Sequence, residues 1–239
     1  MMMTELAAVA IVVVAGLVRG TTGFGGAMMM TPVLSVLLSP VNAVVVALLL
    51  ETAGALVMFP DALPKAQWRT LLYLTLPAIV TVPIGGYLLL TLDPGIARKI
   101  ISGVVIFFSS ILLFGYRYGG TPRVVTSLAL GSVVGVLLGA TSVGAPPVIL
   151  YLLSGPDPIA VTRANLTVFV TSISVIGLVM LAAAGAINGA LAITAAALTL
   201  PFLASIWVGS KVFGRLSDAN VRRFALGLML CVGLASFFA

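Results

Sequence analysis

The chain has 239 residues, of which 61% are hydrophobic and 8% are charged. Soluble domains carry about 25% charged residues, so this composition excludes an ordinary water-soluble domain. The net charge of +6 does not indicate nucleic-acid binding. The basic residues stand in short connections between apolar runs, where the cytoplasmic loops of membrane proteins carry them.

Several apolar runs approach or exceed the roughly 20 residues that a helix needs to cross a bilayer. In chain order these runs are 41–59, 68–90, 98–114, 159–184, 190–207 and 221–239. They are continuously apolar and do not alternate with polar residues, which predicts helices and not a β-barrel. The predicted fold class is therefore an all-α polytopic membrane protein.

A glycine-rich stretch interrupts the apolar sequence before the first of these runs. Residues 16–25 read Gly-Leu-Val-Arg-Gly-Thr-Thr-Gly-Phe-Gly, between apolar segments of 14 residues (5–18) and 12 residues (27–38). Each glycine costs a helix roughly 1 kcal/mol relative to alanine, so a continuous helix is disfavoured. At 1.5 Å per residue, both segments would be roughly 20 Å long and shorter than a bilayer core of about 30 Å.

The same pattern returns in the second half of the chain. Residues 135–144 read Gly-Val-Leu-Leu-Gly-Ala-Thr-Ser-Val-Gly, an offset of 119, and matches in the later runs, such as Pro77 with Pro201, follow at an offset of 124. We predict one transmembrane domain, 1–239, made of repeat 1 (1–118) and repeat 2 (121–239). Each repeat would be a broken or re-entrant helical hairpin followed by three transmembrane helices. Paired glycine interruptions of this kind point to a transporter's binding site.

Two arrangements of the broken segments are open. Stacked halves would give eight crossings and parallel repeats, whereas re-entrant hairpins would give six crossings and inverted repeats. The first arrangement divides the loop cations four against seven, and the second divides them nine against two, Arg98 and Lys99. The positive-inside rule therefore favours inverted repeats with both termini outside. The nine cations are Lys65, Arg69, Arg117, Arg123, Arg163, Lys211, Arg215, Arg222 and Arg223.

The tips of the two broken segments offer groups that suit an anion. Glycines let a solute approach backbone N–H groups, and helices starting near Ala27 and Pro146 would direct their positive ends inward. The alternative is close helix packing through small residues, but matched positions with hydroxyls favour a binding site. The candidate ligands are Gly20, Thr21, Thr22, Gly23, Gly25 and Gly26 in the first tip and Thr141, Ser142 and Gly144 in the second.

Two charged residues stand within the apolar sequence. Arg19 lies at the first tip, and Leu138 holds the matching position in the second half. An arginine at membrane depth is costly and points to function, and its guanidinium suits a sulfonate, sulfite or carboxylate. Alternatively, Arg19 reaches the membrane surface or pairs with Glu51, the lone acid in the run 41–59. Glu51 could form that ion pair or take up a proton in coupled transport.

Two further candidates open the run that follows Asp157-Pro158. Arg163 could reach the second tip and admit an anion from the cytoplasm, or it could face lipid headgroups. Asn165 is polar where lipid would not accommodate it, so we expect it to face protein. Both are included in the predicted substrate site.

Residues that usually carry catalysis are scarce. Histidine is absent, Cys231 is the lone cysteine, and no phosphate-binding Gly-x-x-x-x-Gly-Lys loop occurs. A lone cysteine forms no internal disulfide and supplies no metal cluster. We therefore expect a protein that is not an enzyme and that has no metal, no cofactor and no nucleic-acid partner.

The two tips, together with Thr31-Pro32, Ala145-Pro146-Pro147 and 162–165 (Thr-Arg-Ala-Asn), resemble those of the TauE/SafE family of sulfite exporters. This family is also called the toluene-sulfonate-uptake-permease or DUF81 family, and the likeness extends over nearly the whole chain. The resemblance implies a bacterial inner-membrane permease for sulfite, sulfonates or other small organic anions. It places the site at residues 19–26, 141–147 and 163.

We therefore predict a secondary transporter, and by resemblance an exporter, of small sulfur-containing anions such as sulfonates or sulfite. It would work by alternating access around the paired tips. The alternatives are an anion channel with the tips as its filter and a permease for a non-sulfur organic acid. The expected partners are the anion and membrane lipid, and a homodimer is compatible with the sequence. The expected location is the bacterial inner membrane, with a multi-pass topology.

Overall fold

A computed structural model of the chain describes residues 2–116, 119, 123–155, 157–212 and 218–239. The helices of the first half are α1 (Met2–Thr22), α2 (Gly26–Leu37), α3 (Pro40–Ala62), α4 (Trp68–Thr91) and α5 (Pro94–Leu113). Those of the second half are α6 (Val124–Thr141), α7 (Ala145–Leu152), α8 (Ile159–Ala183), α9 (Gly189–Val212) and α10 (Asp218–Phe238). A 3-10 turn, Leu63–Lys65, links α3 to α4.

Within the described ranges, 7 helices are long and apolar enough to cross a membrane, namely α1, α3, α4, α5, α6, α8 and α9. The segment Gly26–Leu37 and the part Arg223–Phe238 of α10 are shorter apolar helices. The predicted all-helical membrane fold is thus confirmed. The predicted repeat boundary, 118 to 121, and the loop cations Arg117 and Arg215 lie outside the described residues.

Helix α1 is longer than the sequence predicted. It runs through Gly16 and Gly20 to Thr22 and has 21 residues, about 31 Å at 1.5 Å per residue, so the expectation of a short first segment was wrong. A β-carbon at Gly20 would collide with the backbone carbonyl of Ile206, and one at Gly16 would collide with Ser205. Glycine allows α9 to pack directly on the α1 backbone, and this close packing outweighs the helix propensity cost.

Helices of the two halves pack in exchanged pairs. Helix α1 lies against α9, and α6 lies against α4. Because α1 and α6 open their halves while α4 and α9 follow at the same place in each, the two contacts correspond to each other. Helix α3 packs on α8 and α5 packs on α10, so these contacts join equivalent helices. Each half therefore buries much of its apolar surface against the other.

Helix α2 lies inside the protein. It has 12 residues, about 18 Å at 1.5 Å per residue, and most of its side chains from Gly26 to Ser35 are buried. It contacts α1, α3, α5 and α10. Its counterpart α7 is shorter still, at 8 residues. The two half-length helices thus enter a protein interior, where a break in the helix need not face lipid.

Candidate functional site

The two helix breaks share the same hydrogen bonds. The Thr22 hydroxyl has two carbonyl acceptors within reach, that of Phe24 at 2.6 Å and that of the residue four positions earlier at 2.8 Å, and it accepts from the N–H two residues later at 3.3 Å. Thr141 likewise bonds the carbonyl four residues earlier at 2.6 Å and the N–H two residues later at 3.2 Å. The residue after each threonine has a positive φ, 80° at Gly23 and 59° at Ser142. The matched threonines therefore help to form the break in each half.

The two breaks lie side by side in the interior. The hydroxyls of Thr31, on α2, and Ser142, after α6, are 2.8 Å apart and buried. The Ser142 hydroxyl also lies 2.6 Å from the Thr141 carbonyl, so it can donate there while it accepts from Thr31. This bond joins the half-length helix of the first half to the break of the second.

A cavity of about 30 Å³ lies between the breaks, with room for about two water molecules. Its walls come from the first break with the start of α2, the second break with the start of α7, and the middle of α3 and α8. The lining residues are Arg19, Gly23, Phe24, Gly25, Ala27, Met28, Glu51, Ala55, Met58, Leu138, Ser142, Val143, Gly144, Ala145, Pro146, Leu166, Thr167, Val170 and Ser174.

An ion pair between Arg19 and Glu51 lies on the cavity wall. The Arg19 Nη1 pairs with Glu51 Oε2, and the Arg19 Nη2 donates to the Glu51 backbone carbonyl at 3.4 Å. The two residues are only 8% and 6% exposed. The Arg19 Nε and Glu51 Oε1 have no hydrogen-bond partner. Each member of the pair thus keeps one buried polar atom without a hydrogen-bond partner on the side of the neighbouring helix glycines.

Two glycines make room for this ion pair. A β-carbon at Gly26 would collide with the Glu51 carboxylate, and one at Gly54 would lie 3.3 Å from the Arg19 Nε. Gly26 opens α2, and Gly54 lies one turn after Glu51 on α3. Glycine at both positions lets the charged groups lie close to the backbone of two helices.

The starts of α2 and α7 differ as sources of N–H donors. In α2 the Met29 N–H donates to the Gly25 carbonyl at 3.0 Å, so the three N–H groups before it have no partner from the preceding turn. In α7 two of the first positions are Pro146 and Pro147, which carry no N–H. Helix α2 therefore supplies most of the backbone donors at the cavity.

The wall contributed by α3 matches that contributed by α8. Glu51 and Ser174 both line the cavity and differ in position by 123 residues, as do Gly54 and Gly177. A β-carbon at Gly177 would lie 3.6 Å from the Leu138 side chain, just as one at Gly54 approaches Arg19. The first half thus has an arginine and a glutamate where the second half has a leucine and a serine.

Six predicted residues line the cavity, and a seventh adjoins it. Arg19, Glu51, Gly23, Gly25, Ser142 and Gly144 line it, and Gly26 lies against the Glu51 carboxylate. For Arg19, the structure shows the ion pair that the sequence left as an alternative, on the cavity wall.

The other predicted ligands lie elsewhere. Gly20 packs on α9, and the Thr21 hydroxyl donates to the Val18 carbonyl at 2.8 Å, as Thr22 also does. The Thr141 hydroxyl forms the backbone hydrogen bonds of the second break. Arg163 is exposed. Asn165 is buried, and its Oδ1 accepts from the Gln67 backbone N–H at 2.7 Å.

Several residues at the site were not predicted from the sequence. Three of them are the most informative. Thr31 links α2 to the second break, and Gly54 makes room for the Arg19 guanidinium. Ser174 lines the cavity at the position of the second half that matches Glu51. A sequence signal existed for Gly54 and Ser174. The pairs Glu51 with Gly54 and Ser174 with Gly177 recur at an offset of 123, between the offsets of the other matches.

A model of one protein family matches residues 8–236, and that family is described as sulfite exporter TauE/SafE. The match covers nearly the whole chain, including both breaks and the helices that carry the ion pair. No curated protein and no solved structure gives a significant match.

Proposed function

This chain belongs to the sulfite exporter TauE/SafE family, and we propose that it exports a small sulfur-containing anion, sulfite or a small sulfonate, by alternating access. The family and the seven apolar helices identify a multi-pass membrane transporter. The proposal adds the site, the substrate and the mechanism. The protein would lie in a bacterial inner membrane.

The single observation that carries the proposal is a buried arginine on a cavity between the two helix breaks. Arg19 is 8% exposed, and its Nε has no partner. An anion beside it would receive charge-assisted hydrogen bonds from the guanidinium and further bonds from the free N–H groups at the start of α2. These donors replace the water that an oxyanion must lose when it enters a membrane protein.

The size of the cavity favours a small substrate. Its volume of about 30 Å³ holds about two water molecules, so sulfite would need the Glu51 carboxylate to move aside. A large aromatic sulfonate would require much larger changes. Among sulfur-containing anions, sulfite and the smallest sulfonates therefore suit the site best.

The packing of the two halves supports alternating access. We propose that they are repeats, since the breaks share hydrogen bonds and the helices pair in exchange, α1 with α9 and α6 with α4. We propose that the repeats are inverted, since that arrangement puts most loop cations on one side. Transporters of this kind open a site near mid-membrane to each side in turn by moving one group of helices against another. The Thr31–Ser142 bond would join the two groups while both sides are closed.

The proposal is tested with purified protein in lipid vesicles and ³⁵S-labelled sulfite. We expect saturable uptake that unlabelled sulfite inside the vesicles accelerates. Arg19→Ala should lower sulfite binding at least about tenfold, because one charge-assisted contact is worth about 1.5–3 kcal/mol. Arg69 is an exposed cation on α4. Arg69→Ala is therefore the matched control and should bind sulfite as the wild type does.

Three outcomes would contradict the proposal. Unchanged binding by folded Arg19→Ala would remove Arg19 from the site. Conductance far above carrier rates, without acceleration by internal sulfite, would identify an anion channel. Binding of a carboxylate in strong preference to sulfite and small sulfonates would identify a permease for organic acids.

A further inference from the structure

We propose that Glu51 carries a proton together with the anion, so that the protein is an electroneutral proton–anion symporter for monovalent oxyanions. This inference rests on the proposed function, because it concerns the same cavity. It adds a second transported species and assigns it to one carboxyl group.

The geometry makes the anion and Glu51 competitors for the same cation. Arg19 Nη1 pairs with Glu51 Oε2, and Nη2 donates to the Glu51 carbonyl. An oxyanion that binds the guanidinium through two of its own oxygens must displace the Glu51 carboxylate. The cavity also has room for only about two water molecules, so the carboxylate has to move to make space for sulfite.

Among the described residues, the cavity wall offers the displaced carboxylate no cation other than Arg19. Helix α2 contains no titratable side chain. Among the described residues of the helices packed against α3, Arg19 is the one other charged side chain that lines the cavity. The other titratable residues of α3, of its neighbours in the fold and of the 3-10 turn are Glu5, Asp61, Lys65, Arg69, Tyr73, Tyr87, Arg98, Lys99, Arg163 and Lys211.

Three of these groups lie far along a helix or are exposed. Asp61, on the same helix, is ten residues from Glu51, about 15 Å along the axis, and it is exposed. Arg163 on α8 is exposed as well. Lys211 at the end of α9 is exposed and lies over the Trp207 ring at 4.7 Å.

Charge balance then assigns the proton. In the empty site the guanidinium and the carboxylate sum to zero. If a monovalent anion replaced the carboxylate beside Arg19 and Glu51 stayed ionised, the buried site would carry one net negative charge with no counter-ion. Protonation of Glu51 by water on the open side restores neutrality, and the proton leaves again where the anion leaves. Buried carboxyl groups carry protons in this way in many transporters.

The consequence is that the empty and the fully loaded sites are both neutral. Both neutral forms of the site can reorient from one side of the membrane to the other. A site that holds the anion with an ionised Glu51, or one that holds an unpaired Arg19, carries a net charge that opposes reorientation. Net flux then follows the product of the anion and proton gradients. Export proceeds while the outward anion gradient exceeds the inward proton gradient.

The test counts protons taken up when sulfite binds to the full-length protein in detergent. Titration calorimetry in buffers of different ionisation enthalpy gives that count. The wild type should take up one more proton per bound sulfite than Glu51→Gln. As the pH rises, its affinity for sulfite should therefore fall by up to tenfold more per pH unit than that of Glu51→Gln. Asp61→Asn, the control on the same helix, should match the wild type.

A vesicle assay tests the transport consequence. With labelled sulfite, and after subtraction of the rate in protein-free vesicles, Glu51→Gln should still exchange external for internal sulfite. It should lose net uptake driven by a pH gradient, because its empty site leaves Arg19 unpaired. Should Glu51→Gln not fold, the wild-type proton count decides, once the protons that free sulfite takes up at the same pH are subtracted.

The outcomes separate this inference from the proposed function. If the wild type neither binds nor exchanges sulfite, the proposed function fails. If the wild type exchanges sulfite but takes up no proton beyond those accounted for by sulfite itself, only the role of Glu51 is overturned. An equal proton count in the wild type and in folded Glu51→Gln has the same meaning.

Discussion

The first half of the chain lines the cavity with charge, and the second half lines it with neutral groups at the matching positions. Arg19 and Glu51 form a buried ion pair, where Leu138 and Ser174 stand in the second half. The two breaks share a threonine that bonds the carbonyl four residues earlier and the N–H two residues later. A scaffold with two equivalent halves thus carries its cation once, which suits a site for a single small anion.

The comparison also shows why two arginines would not serve. A second guanidinium at position 138 would add a buried positive charge that one monovalent anion could not neutralise. Leu138 instead lies at the cavity wall, and Ser174 adds a small hydroxyl to the lining. The asymmetry therefore separates two tasks. In the proposed function, the first half would bind the charge of the anion, and the second half would shape the space.

The largest expected effect comes from making the first half resemble the second. Arg19→Leu alone leaves Glu51 without its partner, and breaking a buried pair in this way costs about 3–5 kcal/mol. The double variant Arg19→Leu with Glu51→Ser removes both charges and should recover most of that stability, with no sulfite binding. Thermal unfolding in detergent and a double-mutant cycle measure the effect.

This prediction has a clear contrary result. A double variant as unstable as Arg19→Leu would mean that the loss comes from packing and not from the unpaired carboxylate. Sulfite binding by the folded double variant would mean that the neutral half, or the start of α2, holds the anion without Arg19.

A smaller effect is expected from alanine at the matched glycines of α3 and α8. At Gly54 the new β-carbon would lie 3.0 Å from Ile206 Cδ1 and 3.3 Å from the Arg19 Nε, while at Gly177 the nearest atom is Leu48 Cδ1 at 3.3 Å. Gly54→Ala should lose about 1–3 kcal/mol by overpacking and weaken sulfite binding, because it pushes on the guanidinium.

Gly177→Ala is the matched control for this substitution. Its neighbours are the ends of flexible leucine side chains, and alanine favours a helix by about 1 kcal/mol. Stability should therefore change little, and sulfite binding should remain near the wild-type value. Equal loss of binding in both variants would show that the two halves contribute alike, against the asymmetry described above.

Much of the fold was predictable because membrane helices leave a direct record in hydropathy. The run 68–90 corresponds to helix Trp68–Thr91, and 159–184 corresponds to Ile159–Ala183. The end of α1 was not predictable in the same way. Helix propensity accounts for the cost of Gly16 and Gly20 but not for α9, which packs on them and keeps them helical.

The candidate site was predictable in part for a similar reason. The matched breaks identified where the cavity would lie, because unusual backbone conformations need glycine and hydroxyl residues that are visible in the sequence. Apart from Glu51, the residues that α3 and α8 place on the cavity wall could not be recognised, since their apolar or small side chains are compatible with lipid or with protein. Whether Arg19 met Glu51 depended on how α1 and α3 rotate towards each other, which hydropathy alone does not determine.

The smallest expected effect concerns the bond that joins the two halves. Thr31→Val removes the hydroxyl that bonds to the Ser142 hydroxyl, which keeps its own bond to the Thr141 carbonyl. The loss should be about 1 kcal/mol, the usual worth of one hydrogen bond. Thr194→Val is the control, because Thr194 is half-buried and its hydroxyl donates within α9, to the Ala190 carbonyl. Thr194→Val should lower the stability less than Thr31→Val does, as measured by thermal unfolding in detergent.

This small effect on stability should accompany a change in transport. If the bond holds the halves together while both sides are closed, Thr31→Val should speed exchange of sulfite across vesicles and leave its binding affinity unchanged. A loss of affinity as large as that of Arg19→Ala would instead make Thr31 a ligand. The contact between the halves would then be part of the anion site, and the second half would do more than shape the space.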